Sequence, residues 1–329
     1  MSLDVVNTLR KILSDITDAE KRREISDYFN SNPTEFRDLL NDVFGSSDSG
    51  YTEDKRCILD LVDLLSTKLV IETVVKALAD NDVRIRIKGL QATYRRQIDS
   101  LNDMILRILN NVDEPFEIRK WAVHILGGTD PVGFGRHLRQ IMRNPEEDVN
   151  LRKEAIFART NNASVETLGT LCILLGDRNS EIRQSSAWAL SKIGSEDSIS
   201  CLLAALEDND ESVREWAIRG LRDIDSSRAL QGLADSMVRA QPKEQVQFIR
   251  LVAEKKSEII MRAIAVLLES YDVSVRRSAA WAMGVSPYPP AAGTLEKLIK
   301  DDDSEVREYA KKALARLGLI DSTDFGLVL

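Results

Sequence analysis

The stretch that most constrains this chain is Asp208–Asp225, DNDESVREWAIRGLRDID, because its frame recurs. An acidic or Asn residue leads to a β-branched residue and Arg, followed by small and apolar residues at helical spacing. The same frame stands at Asp177–Gly194 and at Asp301–Gly318. Anchored on Ile182-Arg183, Val213-Arg214, Val275-Arg276 and Val306-Arg307, its step is about 31 residues, with one gap of about twice that. Upstream, Ile85-Arg86, Ile118-Arg119 and Leu151-Arg152 recur about every 33 residues. A period of this size predicts a solenoid, in which each unit buries its apolar side against the next. The double gap predicts a worn repeat at PKEQVQFIRLVAEK. There Phe248, Leu251 and Val252 keep the apolar positions, and Glu244 and Gln245 replace the usual pair. A further degenerate unit is expected at Lys55–Ser66.

Each unit reads as two helices, Ile199–Leu206 and Val213–Ile224 in the best-marked one. Val213, Ala217, Gly220, Leu221 and Ile224 fall on one stripe at about 100° per residue. Small residues recur in that stripe (Ala122, Ala155, Ala189, Ala217, Ala279, Ala282, Ala310, Ala313) and allow neighbouring helices to approach closely. Asp82, Asp148, Asn179, Asp210, Asp272 and Asp303 share one position ahead of the anchor, where a side-chain oxygen can accept from the orphan N–H groups of the first turn. Gly194 and Gly318 are candidate C-caps.

The pattern D-x-x-x-x-(V/I)-R-x-x-A-x-x-(A/G)-L-x-x-(I/L)-G resembles HEAT repeats of the phycobilisome-lyase-like type over roughly residues 51 to 320. That resemblance implies an all-α fold: a right-handed α-α superhelix of about eight or nine helix pairs. Residues 1–50 are expected to form an N-terminal helical cap and linker, and residues 51–329 the solenoid. Within the cap, helices are expected over Leu3–Ile16, from the Thr17/Glu20 capping pair through Phe29, and over Thr34–Phe44. In such repeats the head Asp and the Arg after the anchor form a ladder between neighbours. The matching residues are Asp80 and Arg86, Asp113 and Arg119, Asp177 and Arg183, Asp208 and Arg214, and Asp301 and Arg307. Their recurrence in unit after unit marks them as structural, since a chemical site would be local.

The resemblance specifies fold more than function, because repeats of this kind serve scaffolds, adaptors, lyases and some DNA-repair enzymes. No catalytic residue, metal centre or cofactor is assigned. His124 and His137 are not followed by Glu, and no third ligand type clusters with them. The stretch GGTDPVGFG lacks the Lys-Ser/Thr ending of a phosphate loop. Net charge is −8, a poor basis for binding phosphate backbones. Three cysteines (Cys57, Cys172, Cys201) without C-x-x-C spacing suit a reducing compartment, and neither a leader nor an apolar run of about 18 residues is present, so a cytoplasmic location is expected.

The candidate binding residues are aromatic. Phe157, Trp188 and Trp281 stand six after their anchors, roughly 240° around the helix. Trp121, Trp216 and Tyr309 stand three after theirs, where packing between repeats is expected. Because second helices line the concave face of such solenoids, Phe157, Trp188 and Trp281, flanked by Arg152, Arg219 and Arg250, are expected to project into the groove; inter-repeat packing is the competing reading. The first half is richer in cations (Arg84, Lys88, Arg95, Arg96, Arg136, Arg139, Arg143, Arg152, Lys153, Arg159), read as a solvated face or, more sharply, as a seat for an anionic partner. A short apolar tail, Phe325–Leu329, ends the sequence. The function expected is a non-enzymatic scaffold or adaptor holding a protein or peptide partner in the groove. The alternatives are a role resembling the bilin lyases, or a nucleic-acid-binding HEAT-like protein.

Overall fold

The computed structural model describes residues 19–45, 51–128 and 133–320, and no strand occurs among them. The helix expected over Leu3–Ile16, residue Thr17 and the tail Phe325–Leu329 lie outside the described residues. The chain divides into two compact units, residues 1–162 and 163–329.

In the first unit the helices are α1 (Ala19–Ser31), α2 (Pro33–Gly45), α3 (Thr52–Asp60), α4 (Thr67–Leu78), α5 (Val83–Arg96), α6 (Asn102–Asn110), α7 (Phe116–Gly128), α8 (Gly135–Arg143) and α9 (Val149–Thr160). The pairs are α2/α3, α4/α5, α6/α7 and α8/α9; the second helices α3, α5, α7 and α9 pack in sequence, and α2 packs on α4 as one first helix on the next. Helix α2, which was expected within the cap, thus holds the place of a first helix. In the second unit the helices are α10 (Val165–Leu174), α11 (Ser180–Ile193), α12 (Ile199–Ala205), α13 (Glu211–Ile224), α14 (Ser227–Arg239), α15 (Pro242–Val252), α16 (Glu258–Leu267), α17 (Val273–Val285), α18 (Ala292–Leu298) and α19 (Ser304–Arg316). They pair α10/α11 through α18/α19, and the second helices α11, α13, α15, α17 and α19 again form a row. The worn repeat is the pair α14/α15, with α15 started by a capping box between Gln241 and Glu244 and by Pro242 in its first turn.

Local chemistry fixes where the second helices begin. The side chains of Asp82, Asp148, Asn179, Asp210, Asp272 and Asp303 each accept from a backbone N–H of the first turn. Gly194 ends α11 in the left-handed region, φ 63°, which glycine adopts without strain. Close stacking is most severe at Gly127 on α7. A Cβ there would stand 2.5 Å from Ala158 Cβ and 3.1 Å from the Ala158 carbonyl oxygen of α9.

The Arg ladder joins one repeat to the next. Arg183 donates to both carboxylate oxygens of Asp208 in the following repeat, at 2.8 and 3.1 Å, and to the carbonyl of Asp177 at its own head. Arg276 does the same with Asp301, at 2.8 and 3.0 Å, and with the carbonyl of Ser270. Arg214 and Arg307 donate to the carbonyls of Asp208 and Asp301, so each of these aspartates receives one Arg on its carboxylate and another on its backbone. The first unit departs from the expected pairs. Arg86 donates to the Asp80 carbonyl, yet its carboxylate partner is Glu114 and not Asp113, which is exposed. Arg119 grips Glu147 at 2.7 and 2.9 Å and the Leu109 carbonyl, and Lys55 holds the Asp80 carboxylate at 2.8 Å. The reason is the longer step upstream. The connecting turn starts at Asn111 or Asn144, whose side chain accepts from the N–H two residues on, and the longer Glu reaches back to the Arg.

A disulfide joins Cys172 of α10 to Cys201 of α12, with Cα atoms 5.5 Å apart; Cys57 is free. The cysteine count alone pointed to reduced thiols. Neighbouring first helices bring together residues separated by 29 positions, a proximity that no local spacing signals.

Two outcomes follow from this packing. Gly127→Ala should lower stability by about 1–3 kcal/mol in urea denaturation, because overpacking against Ala158 outweighs a helix-propensity gain of about 1 kcal/mol. Arg276 holds the Asp301 carboxyl below its usual range against the opposing effect of burial, and Arg119 does the same for Glu147. Folded values below the unfolded ones, about 4 for both types, give stability that is complete well above that pH and is lost as pH falls through the folded value. The urea midpoint should therefore drop on acidification below about pH 5. Asp301→Asn should be less stable at neutral pH by about 1.5–3 kcal/mol and lose less on acidification.

Candidate interaction surface on the second helices

The register of each second helix decides what it shows to solvent. In α13 the buried residues are Val213, Ala217, Ile218, Gly220 and Leu221; in α17 they are Val275, Ser278, Ala279, Ala280, Ala282 and Met283. At about 100° per residue the anchor and the positions four, five, seven and eight after it cover one arc, from about 340° through 0° to 140°. The sixth position, at about 240°, is the centre of the opposite face. In the first unit Gln91, His124 and Phe157 stand there; in the second, Trp188, Arg219, Arg250, Trp281 and Lys312. None of the eight is buried, and Phe157 is 38% exposed. Five of the six expected groove residues (Phe157, Trp188, Trp281, Arg219 and Arg250) therefore share one outward position on their helices.

Arg152 does not. It directly follows the anchor Leu151, is 2% exposed, and its Nε donates to the Met142 carbonyl at 2.9 Å, as Arg119 donates to Leu109. Its position, about 100° from the anchor, falls inside the buried arc. Arg152 is a buried residue that ties α8 to α9 within one repeat, and its assignment as a groove cation is corrected accordingly.

The position three after the anchor complements the sixth. Where the sixth is Trp188 or Trp281, the third is a buried Ser185 or Ser278. Where the sixth is Arg219 or Lys312, an aromatic lies beneath it: the Arg219 guanidinium is 5.6 Å from the Trp216 ring centre and Lys312 Nζ is 5.8 Å from that of Tyr309. In the first unit Trp121 lies between Tyr94 and His124, with ring centres 6.1 and 6.0 Å away, and His124 Nε2 is 3.2 Å from Glu154. Trp121, Trp216 and Tyr309 are all partly exposed, and Trp121 packs on Tyr94 of the preceding repeat, as expected of an edge aromatic.

Charges around the surface are unevenly used. Gln184 bonds Asp210, Gln247 bonds Glu215, and Arg277 bonds Asp303 and Glu305, lacing successive second helices together near their starts. Lys312 is paired with Glu308. Among the described residues no carboxylate stands within ion-pairing distance of Arg219 or Arg250, whereas Arg222 and Arg262 have one at 2.8 Å. Much of the cation-rich first half is already engaged. Lys88 is on Asp60, Arg95 on Asp63, Arg84 on Asp82; Arg96 donates to the carbonyls of Asp63 and Leu65; Arg159 is fully buried. These residues do not form an open seat for an anion.

The comparisons agree with this architecture. A family profile described as HEAT repeats matches residues 135–222 and 260–325. The uncharacterized phycocyanin operon protein Z of Pseudanabaena tenuis (strain PCC 7409) is 24% identical over 182 residues, covering 52% of this chain and 90% of its own length. Among solved structures, a chain of the Kap95:Nup1 complex superposes with a TM-score of 0.59 at 13% identity, over 96% of this chain and 51% of that one. Importin beta superposes with a TM-score of 0.52 at 14% identity, over 95% and 51%. The fold is thus an all-α solenoid of HEAT-like helix pairs, and the chain spans about half the length of those two solved chains. No helix among the described residues is long and apolar enough to cross a membrane.

The contrast between the two arginine environments can be measured. Arg152→Ala should cost about 1–3 kcal/mol, because it strands buried acceptors, while Arg250→Ala should stay within about 0.5 kcal/mol of the parent in urea denaturation.

Proposed function

We propose that this protein is a non-enzymatic scaffold that holds a segment of a protein partner along the second helices, the concave side of repeats of this type. The observation that carries this reading is the shared outward position of Trp188, Arg219, Arg250 and Trp281 in the second unit. Tryptophan and arginine are the side chains that most often dominate binding energy at protein interfaces. Helices braced on both sides hold such groups with little freedom left to lose, so association costs less ordering entropy. Within the first unit, Phe157 stands at the equivalent position of its own second helix, α9, and is exposed. The partner is a protein or peptide; nucleic acid is not the expected partner, given the net charge of −8.

A second reading, a role resembling the bilin lyases, draws on the similarity to phycocyanin operon protein Z, most of whose length the match covers. It requires that an added tetrapyrrole change its absorbance on mixing with the protein. The proposed cytoplasmic location rests on composition, and the Cys172–Cys201 bridge weighs against it, because disulfides are rare in reducing compartments.

Trp188→Ala and Trp281→Ala should each weaken capture of the native partner from lysate by about 2 kcal/mol or more, with the urea midpoint little changed. A fallen midpoint with undiminished capture would make these tryptophans packing residues and remove the reading.

A further inference from the structure

We propose that Arg219 and Arg250 bind the carboxylates of an acidic polypeptide segment whose aromatic or large aliphatic side chains settle against Trp216 and Trp281. This deepens the scaffold reading and rests on it.

The two arginines occupy equivalent positions on adjacent second helices, α13 and α15, which pack side by side. Both face away from the buried arc. Their ion-pairing capacity is unspent among the described residues, while Arg183, Arg222, Arg262, Arg276 and Arg277 are each on a carboxylate. Among the described residues other exposed arginines of this unit, such as Arg178 and Arg239, also lack a carboxylate; what sets Arg219 and Arg250 apart is their shared outward position on adjacent second helices. Glu215, on the same face as Arg219, is engaged by Gln247 of the next helix. Trp216 lies under the Arg219 guanidinium, which holds the fork in place and leaves N–H groups for an incoming acceptor. On the far side, Trp281 of α17 is partly exposed above the buried Ser278.

Spacing sets the form of the ligand. Adjacent helix axes lie about 8–10 Å apart. An extended chain advances about 3.3 Å per residue, so acidic residues about three apart can reach both forks. An arginine fork accepts a carboxylate through two parallel bonds, which gives orientation as well as attraction. A nucleic-acid strand fits less well. Its affinity grows with the number of phosphates neutralised, and two open cations on an acidic protein offer few.

The test uses the full chain and defined polymers. Fluorescence anisotropy would follow binding of labelled poly(Glu,Tyr), poly-Glu and a thymidine oligonucleotide at low and moderate salt. Poly(Glu,Tyr) should bind best, more weakly as salt rises, and Arg219→Gln with Arg250→Gln should weaken it about tenfold or more. The charge-matched Arg262→Gln with Lys297→Gln, on first helices, should leave it unchanged, and urea midpoints should confirm that both double variants are folded. No binding of poly(Glu,Tyr), equal loss in both double variants, or tighter binding of the oligonucleotide would overturn the inference. The scaffold reading fails separately. If Trp281→Ala abolishes capture of the native partner while the Arg219/Arg250 variant retains it, the scaffold stands and the acidic ligand does not; if both retain it, both are wrong.

Discussion

Close contact between successive second helices is the constraint on which everything else in this molecule depends. A solenoid has no central core; each repeat buries one flank on the repeat before it and the other on the repeat after. Apolar burial is non-directional and would tolerate sliding along the helix axis. Two devices prevent sliding. Small residues such as Gly127 allow contact at only one height, because a neighbouring backbone fills the space where a Cβ would stand. The Arg ladder then fixes one end: the guanidinium of Arg183 or Arg276 spans a carbonyl of its own turn and a carboxylate of the next. Such partly buried pairs add little net energy over apolar packing, but a slipped register would leave charges stranded, so their effect is on alignment.

Alignment produces the candidate surface. Once every second helix has the same rotation and height, a position that points outward in one points outward in all. Trp188, Arg219, Arg250, Trp281 and Lys312 therefore lie on successive helices of one unit without any local motif linking them. The polar lacing of Gln184 with Asp210, Gln247 with Glu215 and Arg277 with Asp303 occupies side chains nearer the helix starts and does not involve the sixth position. Evolution of a binding surface on such a frame needs only substitution at one repeated position, since the ladder and caps hold the backbone regardless.

The disulfide and the engaged cations of the first half both show how composition misleads when proximity is unknown. Cys172 and Cys201 look like stray thiols in sequence, yet first helices of adjacent pairs set their Cα atoms 5.5 Å apart. The cation-rich first half looks like a basic face, yet Lys88, Arg95 and Arg96 serve neighbouring carboxylates and carbonyls.

The amino-acid sequence by itself determined the repeat, its helical hairpins, the caps at Asp210 and its equivalents, and the hidden repeat at Pro242–Val252, because these rest on spacing and on groups within one turn of each other. It also set the angular position of Phe157, Trp188 and Trp281 away from the centre of the apolar stripe, since that follows from helical pitch alone, and left open whether they pack between repeats. Tertiary structure decided what depends on the neighbour across the interface: that Glu114 and Glu147, not Asp113, complete the upstream rungs; that Arg152 is interior; and that Arg219 and Arg250 come side by side on adjacent helices. Those outcomes turn on the length of a connecting turn and on a few ångströms of reach between chains of atoms far apart in sequence, which periodicity cannot specify.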